Sequence, residues 1–310
     1  MGWTAADIPD LTGRCAIVTG GNGGLGLSIS RALAAHGAQV VIAARNTDKA
    51  KAAAERIAAE TPAAQVEFTS LDLSDLDSVR GFAAGWTNRP LHLLVNNAGV
   101  MAIPLARTKA GFEMQFGTNH LGHFALTGLL LPALIRSGAG RVVTMSSSAH
   151  KTGKIRFDDL QAEQRYSKFA AYGQSKLANL LFMRELDRRL TAAGVPVISV
   201  ASHPGYAATD LQTLGPQVAG NKLAEWLMGL GNRIFAQSAD DGALPALYAA
   251  TMPDVKGGEY FGPGGFVEMR GAPKRVGMTS AARNDDDARR LWTVSESLTN
   301  VKYEALAAVG

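Results

Sequence analysis

The eight residues Thr19-Gly20-Gly21-Asn22-Gly23-Gly24-Leu25-Gly26 stand between a short apolar run, Ala16-Ile17-Val18-Thr19, and a helical pattern over 25–36. Few chains can accommodate so many glycines in one turn unless the backbone there adopts positive φ or another group approaches it closely. A strand, a glycine turn and a helix in succession bring backbone N–H groups to a helix N-terminus, which suits a pyrophosphate. The pattern then continues. β-Branched runs at 39–44, 66–71, 91–95, 141–145 and 195–201 alternate with helical patterns at 50–60, 76–86, 116–134 and 171–193. Such alternation predicts an α/β fold, a doubly wound parallel sheet of Rossmann-like type with helices on both faces. With no internal repeat and no low-complexity linker, residues 1–310 read as a single domain.

Two glycine registers fit a nucleotide loop: Gly21, Gly23 and Gly26 match G-x-G-x-x-G, and Gly20, Gly24 and Gly26 match G-x-x-x-G-x-G. The second strand bears on which nucleotide is bound. An acidic residue at its end would bond a ribose 2′-hydroxyl and favour NAD. Arg45 stands there instead, and a guanidinium can pair bidentately with a 2′-phosphate, so NADP(H) is favoured over NAD(H). Asp48, three residues on, argues the other way.

Tyr172 and Lys176 open a long helical pattern at i, i+4 spacing, which puts both side chains on one helix face. A phenol with an ordinary pKa of about 10 is a poor acid–base near neutrality. A neighbouring ammonium favours the phenolate and is expected to draw that value down. The Y-x-x-x-K spacing is common by chance and gains weight from its surroundings.

Thr19-Gly20 with Gly24 and Gly26, Asn96-Asn97-Ala98-Gly99, Asn119, Ser147, Tyr172 with Lys176, and Pro204-Gly205 with Thr209 follow one another in a familiar order. In this the chain resembles the short-chain dehydrogenase/reductase family over about residues 14–210. Within it, Ala44-Arg45-Asn46, the 119–124 segment, the 175–179 segment and His203-Pro204-Gly205 look most like the retinol-dehydrogenase and protochlorophyllide-reductase-like members. The resemblance implies a hydride transfer between a nicotinamide and a carbonyl or alcohol carbon. It makes Tyr172 the proton donor and acceptor, Lys176 its partner and a ligand of the nicotinamide ribose, and Ser147 the holder of the substrate oxygen. Asn119 would hold a water linking Lys176 to solvent. Cofactor contacts would come from Gly20, Asn22, Gly24, Leu25, Gly26 and Arg45, from Asp72 and Leu73 near the adenine, and from Asn97, Ala98 and Gly99. Pro204, Gly205 and Thr209, the last on the carboxamide, complete the set. Ser146, Ser147 and Ser148 are consecutive, and strand alternation makes the choice of Ser147 a matter of register.

Two stretches exceed normal connections, 149–170 and 206–238, and long insertions at strand ends carry binding function in such folds. The run Trp226-Leu227-Met228-Gly229-Leu230 reads as a lid over an apolar substrate, a membrane-surface patch or core. Residues 257–263 read as a final strand and turn, and the acidic residues 285–287 suit a helix N-terminus.

Composition narrows the classes. The chain is 46% hydrophobic and 19% charged with a net charge of +4, and its arginines at 184, 188 and 189 are interleaved with Glu185 and Asp187, so no nucleic-acid arm is expected. No transmembrane segment or signal peptide is read, and the expected location is cytoplasmic. The single cysteine, Cys15, reads as a small buried hydrophobe, and the histidines offer only the weak pair His120/His123, so no metal is expected. The expected partner is a small carbonyl or alcohol compound, of apolar character if the family branch holds. The helices over 116–134 and 171–193 could form the interface of a homodimer or homotetramer, although the insertions leave a monomer open. Two competing readings are a cofactor-binding regulator without turnover, against which the intact set Asn119, Ser147, Tyr172 and Lys176 counts, and a light-driven tetrapyrrole reductase, weakened by the lack of a cysteine near the motifs.

Overall fold

The computed structural model describes residues 2–86, 88–205 and 238–307. Their centre is one sheet of eight strands: β1 (Cys15–Thr19), β2 (Gln39–Ala44), β3 (Gln65–Ser70), β4 (Leu93–Asn96), β5 (Gly140–Met145), β6 (Val197–Ser202), β7 (Tyr260–Pro263) and β8 (Pro273–Arg275), in the order β3-β2-β1-β4-β5-β6-β7-β8. Every neighbouring pair is parallel except β7 and β8. The segment expected to be the last strand is therefore followed by an antiparallel edge strand. At three residues, two of them Lys274 and Arg275, β8 has neither the length nor the apolar pattern that marks a strand in sequence.

Central strands are buried on both faces, which is why β1 and β4 read as unbroken apolar runs. Alternate residues of β1 enter opposite layers. Ala16 and Val18 meet α1 (Gly24–Ala35), α2 (Thr47–Glu60) and α6 (Ala239–Thr251), whereas Cys15 and Ile17 share the other layer with α3 (Leu76–Ala84), α4 (Gly122–Arg136), α5 (Lys168–Ala192) and α7 (Asp285–Thr299). The outer strand β3 is largely exposed and carries Gln65, Glu67, Thr69 and Ser70, polar residues suited to a sheet edge.

The chain winds outward from β1 to β3, then returns to place β4 on the other side of β1. Loops leaving the carboxyl ends of β1 and β4 thus diverge, and a crevice opens where the strand order reverses. The helix expected over 116–134 is longer and interrupted: a turn at Met114–Phe116, a π-helical stretch at Gly117–Leu121, then α4. Such single π turns cluster at functional sites.

Helix α7 and the segment after it pack over α4 and α5. The Trp292 ring stacks on Phe182 at 6.0 Å and meets Phe124 edge-on at 5.1 Å. His120 Nε2 lies 2.8 Å from Ser295 Oγ, and Tyr303 donates its hydroxyl to the Phe124 carbonyl at 2.8 Å. The face of the two helices on which α7 packs is thus buried within the chain. The expected insertion 149–170 folds against α5 rather than forming a free excursion. Gly153 packs so tightly on the helix that a Cβ there would stand 2.3 Å from the Gly173 carbonyl oxygen, and Arg156 N–H donates to Gln174 Oε1. Of the expected insertion 206–238, residues 206–237 lie outside the described residues, and with them Thr209 and the 226–230 stretch.

Candidate active site

A cavity of about 540 Å³ opens over the carboxyl ends of β1, β2 and β4. Its wall contains Gly20, Asn22, Gly24, Leu25 and Gly26 from the glycine turn, Arg45 after β2, Asp72 and Leu73 after β3, and Asn97, Ala98 and Gly99 after β4. Tyr172, Lys176 and Pro204 close the other end, whereas the expected residues Asn119, Ser147 and Gly205 are not in the wall among the described residues. Among the described residues, none from 149–170 lines it.

The glycine turn is shaped by close approach. Gly20 and Gly24 have φ of +64° and +49°, and a Cβ on Gly26 would stand 2.2 Å from the Gly20 carbonyl oxygen. Only glycine lets α1 begin this close to the turn, leaving its N-terminal amides over the cavity. Asn97 ties the β4 loop to this turn by donating Nδ2–H to the Thr19 carbonyl at 2.8 Å. The Thr19 hydroxyl is the hub between them, accepting N–H bonds from Asn97 and Ala98 at 2.9 and 3.0 Å. His123 completes the hub. Its Nδ1 faces the Asn119 carbonyl at 3.0 Å, so that nitrogen carries the proton and Nε2 accepts from the Thr19 hydroxyl at 2.9 Å. Burial holds His123 at a pKa of about 4 and His120 at about 3, which keeps both imidazoles neutral as hydrogen-bonding parts of the core. No cluster able to hold a metal exists among the described residues.

Arg45 is exposed at the rim, with Asn46 and Lys49 beside it in the cavity wall. The Asn46 side chain caps α2 by accepting from Lys49 N–H at 2.9 Å, which fixes where the helix starts. Lys49 was not singled out from the sequence. Its signal was its place in the first turn of α2, four residues after Arg45. Asp48, the residue that argued for NAD, is exposed on α2 and does not line the cavity among the described residues. Asp72 is occupied locally, its Oδ1 accepting from the N–H and hydroxyl of Ser74 at 2.9 and 2.6 Å.

At the reacting end, Lys176 is almost fully buried with its Nζ 3.3 Å from the Met145 carbonyl and 5.6 Å from the Tyr172 ring centre. Burial lowers its pKa to about 8. Burial also pushes the Tyr172 phenol above its ordinary value, while a hydrogen bond with Ser147 pulls against that. The phenol is thus raised, opposite to the direction expected from the sequence, because loss of hydration outweighs the help it receives. Ser146 borders the cavity but donates its hydroxyl to the Lys176 carbonyl at 2.9 Å, whereas Ser147 engages the phenol.

Asn119, fully buried in the π-helical turn, accepts from Val100 N–H at 2.8 Å and donates to the Val100 carbonyl and to Ser175 Oγ, both at 2.9 Å. Its amide is spent on holding the β4 loop to α5, and its main-chain carbonyl faces His123 Nδ1. A Cβ on Gly99 would stand 2.9 Å from Asn119 Oδ1 and 3.7 Å from Lys176 Nζ, so the glycine lets these two approach the loop.

The family profile described as short chain dehydrogenase matches residues 14–217. The chain is a short-chain dehydrogenase. This dehydrogenase is 42% identical to retinol dehydrogenase 12 of Mus musculus over 308 residues, covering 97% of this chain and 90% of that one. It is 40% identical to polyprenol dehydrogenase of Mus musculus, covering 94% and 85% of the two chains. Among solved structures, an uncharacterized protein from Mycobacterium paratuberculosis superposes with a TM-score of 0.81 at 46% identity, covering 98% and 99%. The Pseudomonas aeruginosa RhlG/NADP active-site complex superposes with a TM-score of 0.63 at 25% identity, covering 81% and 94%. The dehydrogenase is an NAD(P)-dependent oxidoreductase of CH–OH and C=O groups, in the branch that contains these retinol and polyprenol enzymes. None of its described helices is long and apolar enough to cross a membrane.

Proposed function

We propose that this dehydrogenase prefers NADP(H) and works on the alcohol or carbonyl carbon of an apolar small molecule, in the cytoplasm. The observation that carries the cofactor preference is the pair of cations, Arg45 and Lys49, at the β2 end of the cavity. Among the described lining residues the only carboxylate is Asp72, already held by Ser74. Two positive side chains with no free acid beside them suit a 2′-phosphate and give a bare 2′-hydroxyl little to bond. The apolar substrate class is supported by relatives named for retinol and polyprenol.

The residues fit such a nucleotide, since Gly24, Leu25 and Gly26 of the first turn of α1 line the cavity at one end and Tyr172 and Lys176 line it at the other. When bound, the nicotinamide supplies or accepts the hydride. In reduction, Tyr172 gives its phenolic proton to the substrate oxygen as the carbon gains the hydride, and Ser147 holds that oxygen by a hydrogen bond. In oxidation the same phenol takes the proton back. Lys176 supplies positive charge beside the phenol, which favours the phenolate left after transfer. Asn119 keeps Lys176 and the β4 loop in register through Val100 and Ser175.

The test compares kcat/KM for NADPH and NADH in the parent, Arg45→Ala and Lys49→Ala, with an apolar aldehyde as substrate. A charge-assisted hydrogen bond of about 1.5–3 kcal/mol corresponds to about a 10- to 100-fold loss with NADPH and little change with NADH. A parent without preference, or an Arg45→Ala enzyme whose preference is unchanged, would remove the cofactor assignment.

A further inference from the structure

Behind the serine turn lies a buried polar cluster that the reaction above does not use. It consists of His150, His203 and Tyr260, with the Tyr260 ring centre 5.6 Å from that of His150 and 5.2 Å from that of His203. Glu268 and Lys151 close it from outside. Glu268 Oε2 accepts from Lys151 Nζ at 3.1 Å and stands 3.5 Å from His203 Nε2.

His203 is 1% exposed, and its two nitrogens face different parts of the chain. Nδ1 accepts the Gly205 N–H at 3.2 Å and so carries no proton. Burial depresses its pKa to about 4, which keeps the ring neutral and puts the single proton on Nε2, toward Glu268. The space for this ring is provided by β7, where a Cβ on Gly262 would stand 2.0 Å from Nε2. The loop carrying Glu268 is held under strain, since Val267 and Glu268 have φ of +50° and +58°, a region that non-glycine residues seldom occupy. That loop also touches Gly205, whose own φ is +68° and where a Cβ would meet the Met269 carbonyl oxygen at 2.4 Å. Between His203 and Gly205 sits Pro204, a wall of the cavity.

We propose that His203 is a positioning residue for the bound nucleotide. By holding Gly205 N–H on one side and facing Glu268 with Nε2–H on the other, it fixes the Pro204 wall of the cavity from behind and couples it to the strained 265–269 loop. The imidazole itself does not line the cavity among the described residues. A histidine that merely filled core volume would need neither the aligned Gly205 amide nor a carboxylate-bearing loop held at positive φ. The inference rests on the reading of this cavity as the nucleotide site.

Titration of NADPH by fluorescence, with thermal melting of each protein alongside, tests it in the parent, His203→Leu, His203→Asn and Glu268→Gln. An asparagine oxygen can accept from Gly205 N–H, as Nδ1 does, whereas leucine cannot. Loss of one buried hydrogen bond and its geometry corresponds to about a 5- to 10-fold rise in the NADPH dissociation constant for His203→Leu. In His203→Asn most of that affinity returns, Glu268→Gln falls between parent and leucine, and kcat at saturating NADPH changes by less than the affinity does. Leucine and asparagine variants that melt lower but bind NADPH as the parent does would overturn the proposal and make His203 a packing residue. Equal weakening in leucine and asparagine would overturn it as well. A parent that bound neither NADPH nor NADH would instead sink the site assignment beneath it.

Discussion

Burial sets the protonation states at the reacting end. The Tyr172 phenol is pushed above its ordinary value and Lys176 is drawn down to about 8, so near neutrality the phenol keeps its proton and the amine is still mostly ammonium. Reduction needs that protonated phenol, and oxidation needs the phenolate. The sign follows: alcohol oxidation should rise with pH between about 6 and 8 and level off above that, as Lys176 loses the charge that favours the phenolate, while carbonyl reduction is already supported at neutrality. Initial rates in both directions across that range check this, and an oxidation rate that falls with rising pH contradicts it. Lys176→Met should slow both directions by removing the charge that favours the phenolate. At this scale the sequence was informative where residue type and spacing suffice to place side chains together, as for Tyr172 and Lys176 in the cavity wall. It was silent about the Thr19–His123 hub, because Thr19 acts through backbone amides of a loop far along the chain. The Tyr172 shift runs opposite to the expected direction because sequence shows the neighbouring ammonium but not the loss of water around the phenol.

At the scale of elements, close approach decides the site. Helix α1 meets the glycine turn through Gly26, and an added Cβ would collide with the main-chain oxygen of Gly20, which has no flexible end to move aside. Gly26→Ala should therefore cost about 1–3 kcal/mol of stability and weaken NADPH binding, the turn being forced away from the helix. Chemical denaturation together with nucleotide titration would show both losses, and an alanine variant with parental values in both would contradict the packing described. The π-helical turn over Gly117–Leu121 does similar work for Asn119, delivering it into the core between Val100 and Ser175. Strands β1, β2, β4, β5 and β6 could be anticipated from apolar runs because they are buried, and the exposed β3 from Val66, Phe68 and Thr69, residue types that favour strands. Strand β8 could not. It is short and basic, and only its pairing with β7 makes it a strand.

For the whole molecule, the sheet order places the nucleotide crevice, and the last long helix determines what can dock on the far layer. Trp292 lies against Phe124, Phe182 and Tyr303, with the Arg189 guanidinium 4.5 Å over its ring. A second chain could reach α4 and α5 there only by displacing α7, so association through that face is not expected. A stable dimer joined through α4 and α5 would contradict this. Trp292→Ala should cost about 3–5 kcal/mol and uncover that apolar layer, giving a lower melting temperature and a greater tendency to associate than the parent. The alternation of strands and helices foretold the layers, but not this cover, since the contacts of α7 join residues more than a hundred positions apart.

The most direct test of the account is hydride transfer by Tyr172→Phe, measured as NADPH consumption with an apolar aldehyde that the parent reduces, beside a titration of NADPH binding. With the phenyl ring kept and the transferable proton gone, NADPH should bind nearly as tightly as to the parent. Turnover should fall by at least about 100-fold. A Tyr172→Phe enzyme that reduced the aldehyde at the parental rate would contradict the assignment of the proton to this phenol.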